Sequence, residues 1–369
     1  MTAPENHEQP FQPLFTIRRS GRLEVVVYGI VSVVTGRDCQ SLMAAGDTDF
    51  ELWSRSLLKP WQLLTNFKIL KSHYPALQDK HFALFMASHS ADADHLQALE
   101  EIIEICGLDE GQLLCPPARP LDGATRALMK ERGEKPQRRY HNCSGKHSGY
   151  LAAVKAQAGN MGNYLIEAEA HHSRLKNILS LLTGRQSESF TATTDGCQLP
   201  NYALSTRELS LAYMTLLNRN TLPAAAQASE LFENYEQLGS LMLAYPQMIS
   251  GLGRLDYKIM AREIFADAPP MVAKEGADGL LGIGVAASEK YPDGVGIAIK
   301  LSSGFDSHHM EIITREILAA LGLTAPHKVE HKAEAGLSEN FKTDPGKGEK
   351  IKTDHIKSEY HFLPSLARR

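Results

Sequence analysis

Arg55-Ser56-Leu57-Leu58-Lys59-Pro60-Trp61-Gln62 is the stretch on which the reading of this chain turns. It holds a Ser-x-x-Lys tetrapeptide beside a segment, 61–74, whose apolar spacing predicts a helix. On a helix, side chains at i and i+3 share a face, so the lysine amine can reach the serine hydroxyl. A serine hydroxyl is a weak nucleophile until a base takes its proton, and burial lowers a lysine pKa far enough to make it that base. Pro60 is best tolerated in the first helical turn. That leaves Ser56 near a helix N-terminus, where developing negative charge is favoured. The tetrapeptide alone also occurs on solvated helix surfaces, so its meaning rests on what accompanies it.

The chain has 369 residues, 43% hydrophobic and 22% charged, with a formal net charge of −4. These values are ordinary for a globular protein of one large or two modest domains. The charge gives no electrostatic reason to expect nucleic acid. No apolar run is long enough to span a bilayer, and residues 1–12 do not read as a signal peptide, so a cytoplasmic protein is expected. Five cysteines, an odd and sparse set, do not read as a disulfide framework.

Outward from the tetrapeptide, residues 23–35 read as one long strand or two short ones. Helices are expected over 92–106, 125–132, 144–158, 164–182, 206–218, 222–244 and 307–321. Strands are expected over 271–274, 280–287 and 294–301. The first and last strands can complete one antiparallel sheet, with the helical middle inserted as a second lobe, an α/β (α+β) fold. Residues 1–13 read as a disordered arm, 14–323 as the catalytic domain and 324–369 as a flexible charged tail.

Four further motifs carry chemistry. They are Ala87-Ser88-His89-Ser90, Asn142-Cys143-Ser144-Gly145-Lys146-His147, Thr194-Asp195-Gly196-Cys197-Gln198-Leu199-Pro200 and Lys274-Glu275-Gly276-Ala277-Asp278-Gly279. Cys143 and Cys197 have polar company, but their spacing matches no common zinc pattern. A second reading makes Cys143 a nucleophile with His147, four residues on, as its base. The pairs His171-His172 and His308-His309 read as partly exposed, and Cys39, Cys106 and Cys115 as structural.

Taken in order, Arg55-Ser56-x-x-Lys59-Pro60-x-Gln62, Ala87-Ser88-His89, the Asn142–His147 run, Asp195-Gly196-Cys197-x-x-Pro200 and Lys274-x-Gly276-Ala277-x-Gly279 resemble the Rhizobium-type (class 3) L-asparaginases of the asparaginase II family. Gly251-Leu252-Gly253-Arg254 with Asp256 looks like another of that family's segments. The resemblance runs from about residue 14 to 323. It implies a fold similar to serine β-lactamases and penicillin-binding proteins, and hydrolysis of L-asparagine. It also implies two serine–lysine pairs, Ser56 with Lys59 and Ser88 with Lys274. Ser56 is favoured as nucleophile because its lysine is local. Zinc on Cys143, Lys146 and Cys197, substrate contacts from Arg55, His147, Asp195 and Gly276, and a homodimer are implied in the same way. The chain departs from the family pattern at Val27-Tyr28-Gly29, where His-Arg-Gly is usual, at Ser302-Ser303-Gly304, where Asp-Asp-Gly is usual, and at Tyr245-Pro246, where His-Pro is usual. The rival expectations are another acyl-serine hydrolase, an esterase or β-lactamase-like enzyme, and a non-catalytic asparagine-binding protein.

Overall fold

The β-branched run Arg22–Thr35 forms a single strand of 14 residues that serves as the spine of the main sheet. The computed structural model describes residues 9–325 and, as backbone, 358–362. Within them the strands are β1 (Gln12–Arg19), β2 (Arg22–Thr35), β3 (Gln40–Ala45), β4 (Glu51–Trp53), β5 (Ala192–Thr194), β6 (Pro200–Ser205), β7 (Met271–Gly276), β8 (Leu280–Val285), β9 (Val295–Leu301) and β10 (Ser358–Phe362). The main sheet runs β10-β1-β2-β9-β8-β7, with β3 pairing the far half of β2. Every pairing is antiparallel. A small second sheet, β4-β6-β5, stands at the junction with the helices. The result is an α/β protein, an antiparallel sheet carrying a helical lobe, as the sequence leads one to expect.

The helix Thr206–Thr215 lies across β2, β8 and β9. It opens on a capping box between Ser205 and Glu208, which satisfies two of its free amides. Two strand glycines bring its backbone against the sheet: a Cβ at Gly284 would strike the Tyr213 carbonyl, and one at Gly296 the Ser210 carbonyl. Val31, Val33, Ile283, Ile297 and Ile299 are fully buried in the sheet.

In the helical lobe, Ala93–Cys106 is capped by Asp92 and stopped by Gly107 in the left-handed region. The expected helix over 61–74 is broken at Asn66 into Lys59–Leu64 and Phe67–His73. Arg174 accounts for the break, donating to the Thr65 carbonyl and the Asn66 side chain. The single helix expected over 222–244 does not form. Instead come a short turn, Ala224–Gln227, a 3-10 turn begun by Ser229, and a helix, Tyr235–Ala244. Tertiary demand overrides periodicity here, because buried Tyr235 must place its hydroxyl on Thr215 and Trp61. His171 and His172 are buried rather than partly exposed, since both rings turn their Nε2 to the Tyr164 carbonyl.

Of the expected arm, Gln12 and Pro13 already belong to β1, and residues 1–8 lie outside the described residues. Within the expected flexible tail, Ser358–Phe362 departs from that expectation. It forms an edge strand on β1, from Phe15 opposite Phe362 to Arg19 opposite Ser358. The rest of the tail beyond residue 325 lies outside the described residues.

Candidate active site

Arg55–Leu58 is one turn of 3-10 helix, and the α-helix begins at Lys59 with Pro60 in its first turn. The small sheet fixes this turn. Ser54 bonds the Tyr202 carbonyl through both its amide and its hydroxyl, and the Asn201 side chain accepts from the Arg55 amide. Arg55 itself is held at φ +50°, unusual for a residue with a Cβ and common where structure over-determines a functional site.

Lys59 is wholly buried. Its amine donates to the Ala87 carbonyl, to Ser88 Oγ at 2.8 Å and to Cys143 Sγ at 3.3 Å. Burial lowers its pKa to about 8, helped by the positive charges of Lys146 and Lys274 and opposed by Cys143. The lysine therefore meets Ser88 and not Ser56. Among the described residues, the half-buried Ser56 hydroxyl has no hydrogen bond. The four-carbon stem of Lys59 reaches past its own turn to three acceptors in the lobe.

Ser88 follows the helix Asp79–Phe85 and is held from several sides. Its amide donates to the Ile249 carbonyl, and its carbonyl accepts from Arg254 Nη1 at 2.7 Å. The next residue ties this segment to the start of the helix Ser144–Ala156. His89 Nδ1 accepts from the Ala91 amide, which leaves the proton on Nε2 to be donated to Ser144 Oγ at 2.8 Å. Burial, with His95 and Lys59 nearby, keeps His89 well below the ordinary histidine pKa and so neutral.

Lys274 stands in a different setting. Its amine bonds Asp256 at 3.0 Å, both side chains fully buried, and no hydrogen bond joins it to Ser88 among the described residues. Asp256 also accepts from Ser250 and from the Glu275 amide. Burial alone would raise its pKa, yet Lys274 and Arg254 hold it down at about 2. Glu275 anchors Arg254, whose other end carries the Ser88 carbonyl. No spacing rule links Arg254, Asp256 and Glu275 to Ser88. Only the resemblance drew notice to the first two, and the role of Glu275 had no signal in the sequence.

Cys143, at the cap of the helix Ser144–Ala156, and Cys197, in the Asp195–Gln198 turn, are both buried in the lobe, near enough that each shifts the other's pKa. The neighbouring Cys197 holds the Cys143 thiol well below its usual pKa despite burial, with Lys59 and Lys146 adding to the effect. Lys146 Nζ lies 3.3 Å from Cys197 Sγ. Burial acts to lower the Lys146 pKa, but Cys197, Cys143 and Asp195 together raise it. Two sulfurs and an amine thus gather at one buried place, a soft donor set that suits zinc. A lysine ligand must lose its proton to bind a metal. Among the described residues no group of three or more His, Cys, Asp or Glu is placed to hold a metal ion. This set contains only two residues of those types.

His147 is buried and turns Nδ1 to the Tyr164 hydroxyl at 2.6 Å, while its Nε2 has no partner. No hydrogen bond joins it to the Cys143 thiol among the described residues, so the geometry does not support a cysteine–histidine nucleophile. Arg55 pairs with Asp195 at 2.8 Å and with Asp278. Gly276 serves packing, because a Cβ there would lie 2.6 Å from the Leu57 side chain. Cys106 and Cys115 are buried thiols whose pKa is pushed up to about 12 by burial, in keeping with a structural role. Among the described residues no helix is long and apolar enough to cross a membrane.

Comparison with known proteins gives one decisive match: the sequence model of the family described as L-asparaginase II matches residues 15–349. No curated protein matches the chain. Among solved structures, a Bacillus glutaminase in 4.3 M NaCl is 11% identical and aligns over 81% of this chain and 92% of its own, with a TM-score of 0.40. A probable glutaminase from Bacillus subtilis, complexed with 6-diazo-5-oxo-L-norleucine, is 13% identical over 81% and 86%, with a TM-score of 0.35. A β-lactamase from Sphaerobacter thermophilus is 13% identical over 82% and 94%, with a TM-score of 0.36. At these scores the structural likenesses carry no argument for this chain.

Proposed function

The chain belongs to the L-asparaginase II family, and on that premise we propose that it hydrolyses the side-chain amide of L-asparagine to L-aspartate and ammonia through a serine–lysine pair. The observation that carries this reading is the buried Lys59 amine, 2.8 Å from Ser88 Oγ with no carboxylate among its hydrogen-bond partners. With Lys59 in its neutral form, the bond between the two runs from the Ser88 hydroxyl to the amine lone pair, and Ser88 Oγ attacks the amide carbon as its proton passes to Lys59. The resulting ammonium returns that proton to the amide nitrogen as the C–N bond breaks, and ammonia leaves. Water then adds to the acyl-serine with Lys59 again as base, freeing aspartate and restoring the hydroxyl. Arg254 and the Ile249 carbonyl hold the Ser88 backbone in register for the attack. Cys143, Lys146 and Cys197 would hold zinc, which when bound supplies a Lewis acid able to polarise an oxygen.

Ser56 is the second reading of the nucleophile. It is half-buried and its hydroxyl is uncommitted, whereas Ser88 is only 3% exposed. The test of the reaction is ammonia release from L-asparagine by the purified protein, with L-glutamine and a simple aryl ester alongside. Hydroxylamine added to the asparagine reaction is expected to divert the acyl-serine to aspartyl hydroxamate. Binding of asparagine without ammonia release would make the protein a binder, and ester cleavage alone would make it another acyl-serine hydrolase.

A further inference from the structure

Beside Arg55 opens a cavity of about 430 Å³ whose wall includes Phe50, Trp53, Asp278, Leu280 and Lys300. Two cations from separate elements converge there on one residue. Arg55, from the 3-10 turn, bonds the Asp278 carboxylate, and Lys300, from β9, bonds the Asp278 backbone carbonyl. Burial lowers the Lys300 pKa, and the Arg55 charge lowers it further against the pull of Asp278, so the cations are close enough to feel each other. Asp278 sits on the tight turn between β7 and β8 at φ +60°, followed by Gly279 at φ +81°. Its side chain is 68% exposed, although it closes the ion pair.

An ion pair to so exposed a carboxylate contributes little to the fold. Glu51 also stands on the cavity wall, but its carboxylate is taken up by Arg185 at 2.7 Å, so the two cations face the cavity with Asp278 between them and form an anion site. Arg55 does not depend on Asp278 for its position, because Asp195 grips its Nε at 2.8 Å from the buried side. Arg55 also immediately precedes Ser56 in the turn that leads to Lys59.

We propose that this cavity receives the substrate's carboxylate, with Lys300 and Arg55 as its cations, and that Asp278 occupies the place by mimicry until a substrate carboxylate displaces it. Assigning that carboxylate to an amino-acid amide rests on the asparaginase reading; the anion site itself does not. Lys300 and Asp278 are then residues that set affinity from outside the serine–lysine machinery.

The experiment is calorimetric titration of the wild-type protein, Asp278→Asn and Lys300→Met with L-aspartate and succinate at low salt. Asp278→Asn is expected to bind both several-fold more tightly and Lys300→Met several-fold more weakly. KM for asparagine is expected to move in the same directions. Unchanged affinity in either folded variant, or no binding of either carboxylate by all three proteins, overturns the proposal. Because the readout is binding, a protein that releases no ammonia would sink the asparaginase reading and leave this result to be judged separately.

Discussion

Among the described residues, Lys59 and Lys274 are both fully buried, and their neighbours give them opposite work. Lys59 faces a carbonyl, a hydroxyl and a sulfur, and burial brings its pKa down to about 8. Lys274 faces the equally buried carboxylate of Asp256. A lysine without an adjacent carboxylate is destabilised in its charged form and becomes a usable base. A lysine in a closed ion pair is a fixed charge that organises what surrounds it. Lys274 does this through Asp256, whose amide and carboxylate both bond Glu275; Glu275 in turn anchors Arg254, which donates to the Ser88 carbonyl.

The largest expected effect falls on Lys59. Lys59→Met keeps most of the stem but removes the base, and ammonia release from asparagine should fall by about 10²–10⁴-fold. Turnover close to wild type in this variant would erase the difference between the two lysines. Next is the metal. Purified protein is expected to carry about one zinc per chain, as a single site implies. Cys143→Ser and Cys197→Ser should each lose it, because a hydroxyl is a poor substitute for a thiolate. Full zinc in the double variant, measured by elemental analysis, would show that the sulfur beside Lys59 is only a packing partner.

Lys274→Met should act first on stability. It leaves Asp256 buried without its counter-ion, at a cost of about 3–5 kcal/mol by urea unfolding. Removing both charges, as in Lys274→Met with Asp256→Asn, should restore part of that loss. The same pair sets an acid limb. Asp256 has a folded pKa of about 2, below the ordinary unfolded value of about 3.9. A depressed carboxylate stabilises the fold above the unfolded pKa. That contribution is lost as pH falls through the folded one. Stability should therefore decline between about pH 4 and 2, and the decline should be shallower in Asp256→Asn. An identical acid limb in that variant would mean that the ion pair does not organise the site.

Much of this was legible before the structure. The capped helix Ala93–Cys106, ending at Gly107, and the three strands Met271–Gly276, Leu280–Val285 and Val295–Leu301 follow from local signals. The residues proposed for the site also stand in motifs, Ser56, Lys59, Ser88, Cys143, Lys146 and Cys197 among them. Their pairing was not legible. Chain adjacency suggests Ser56 for Lys59, but a long side chain bonds whatever acceptors the tertiary fold brings within reach, and here those are Ala87 and Ser88. The short strands β4, β5 and β6 were missed because three to six residues of mixed polarity carry too little period to read. β10 was missed because its strand stands alone after a long charged segment, and its partner β1 lies over three hundred residues earlier.

The most direct test of the account is ammonia release from L-asparagine by Ser88→Ala measured beside Ser56→Ala. The contact between Lys59 and Ser88 predicts that Ser88→Ala, folded as the wild type is, releases no ammonia above background. Wild-type turnover in Ser88→Ala, with activity lost in Ser56→Ala, would contradict it and return the nucleophile to the tetrapeptide itself.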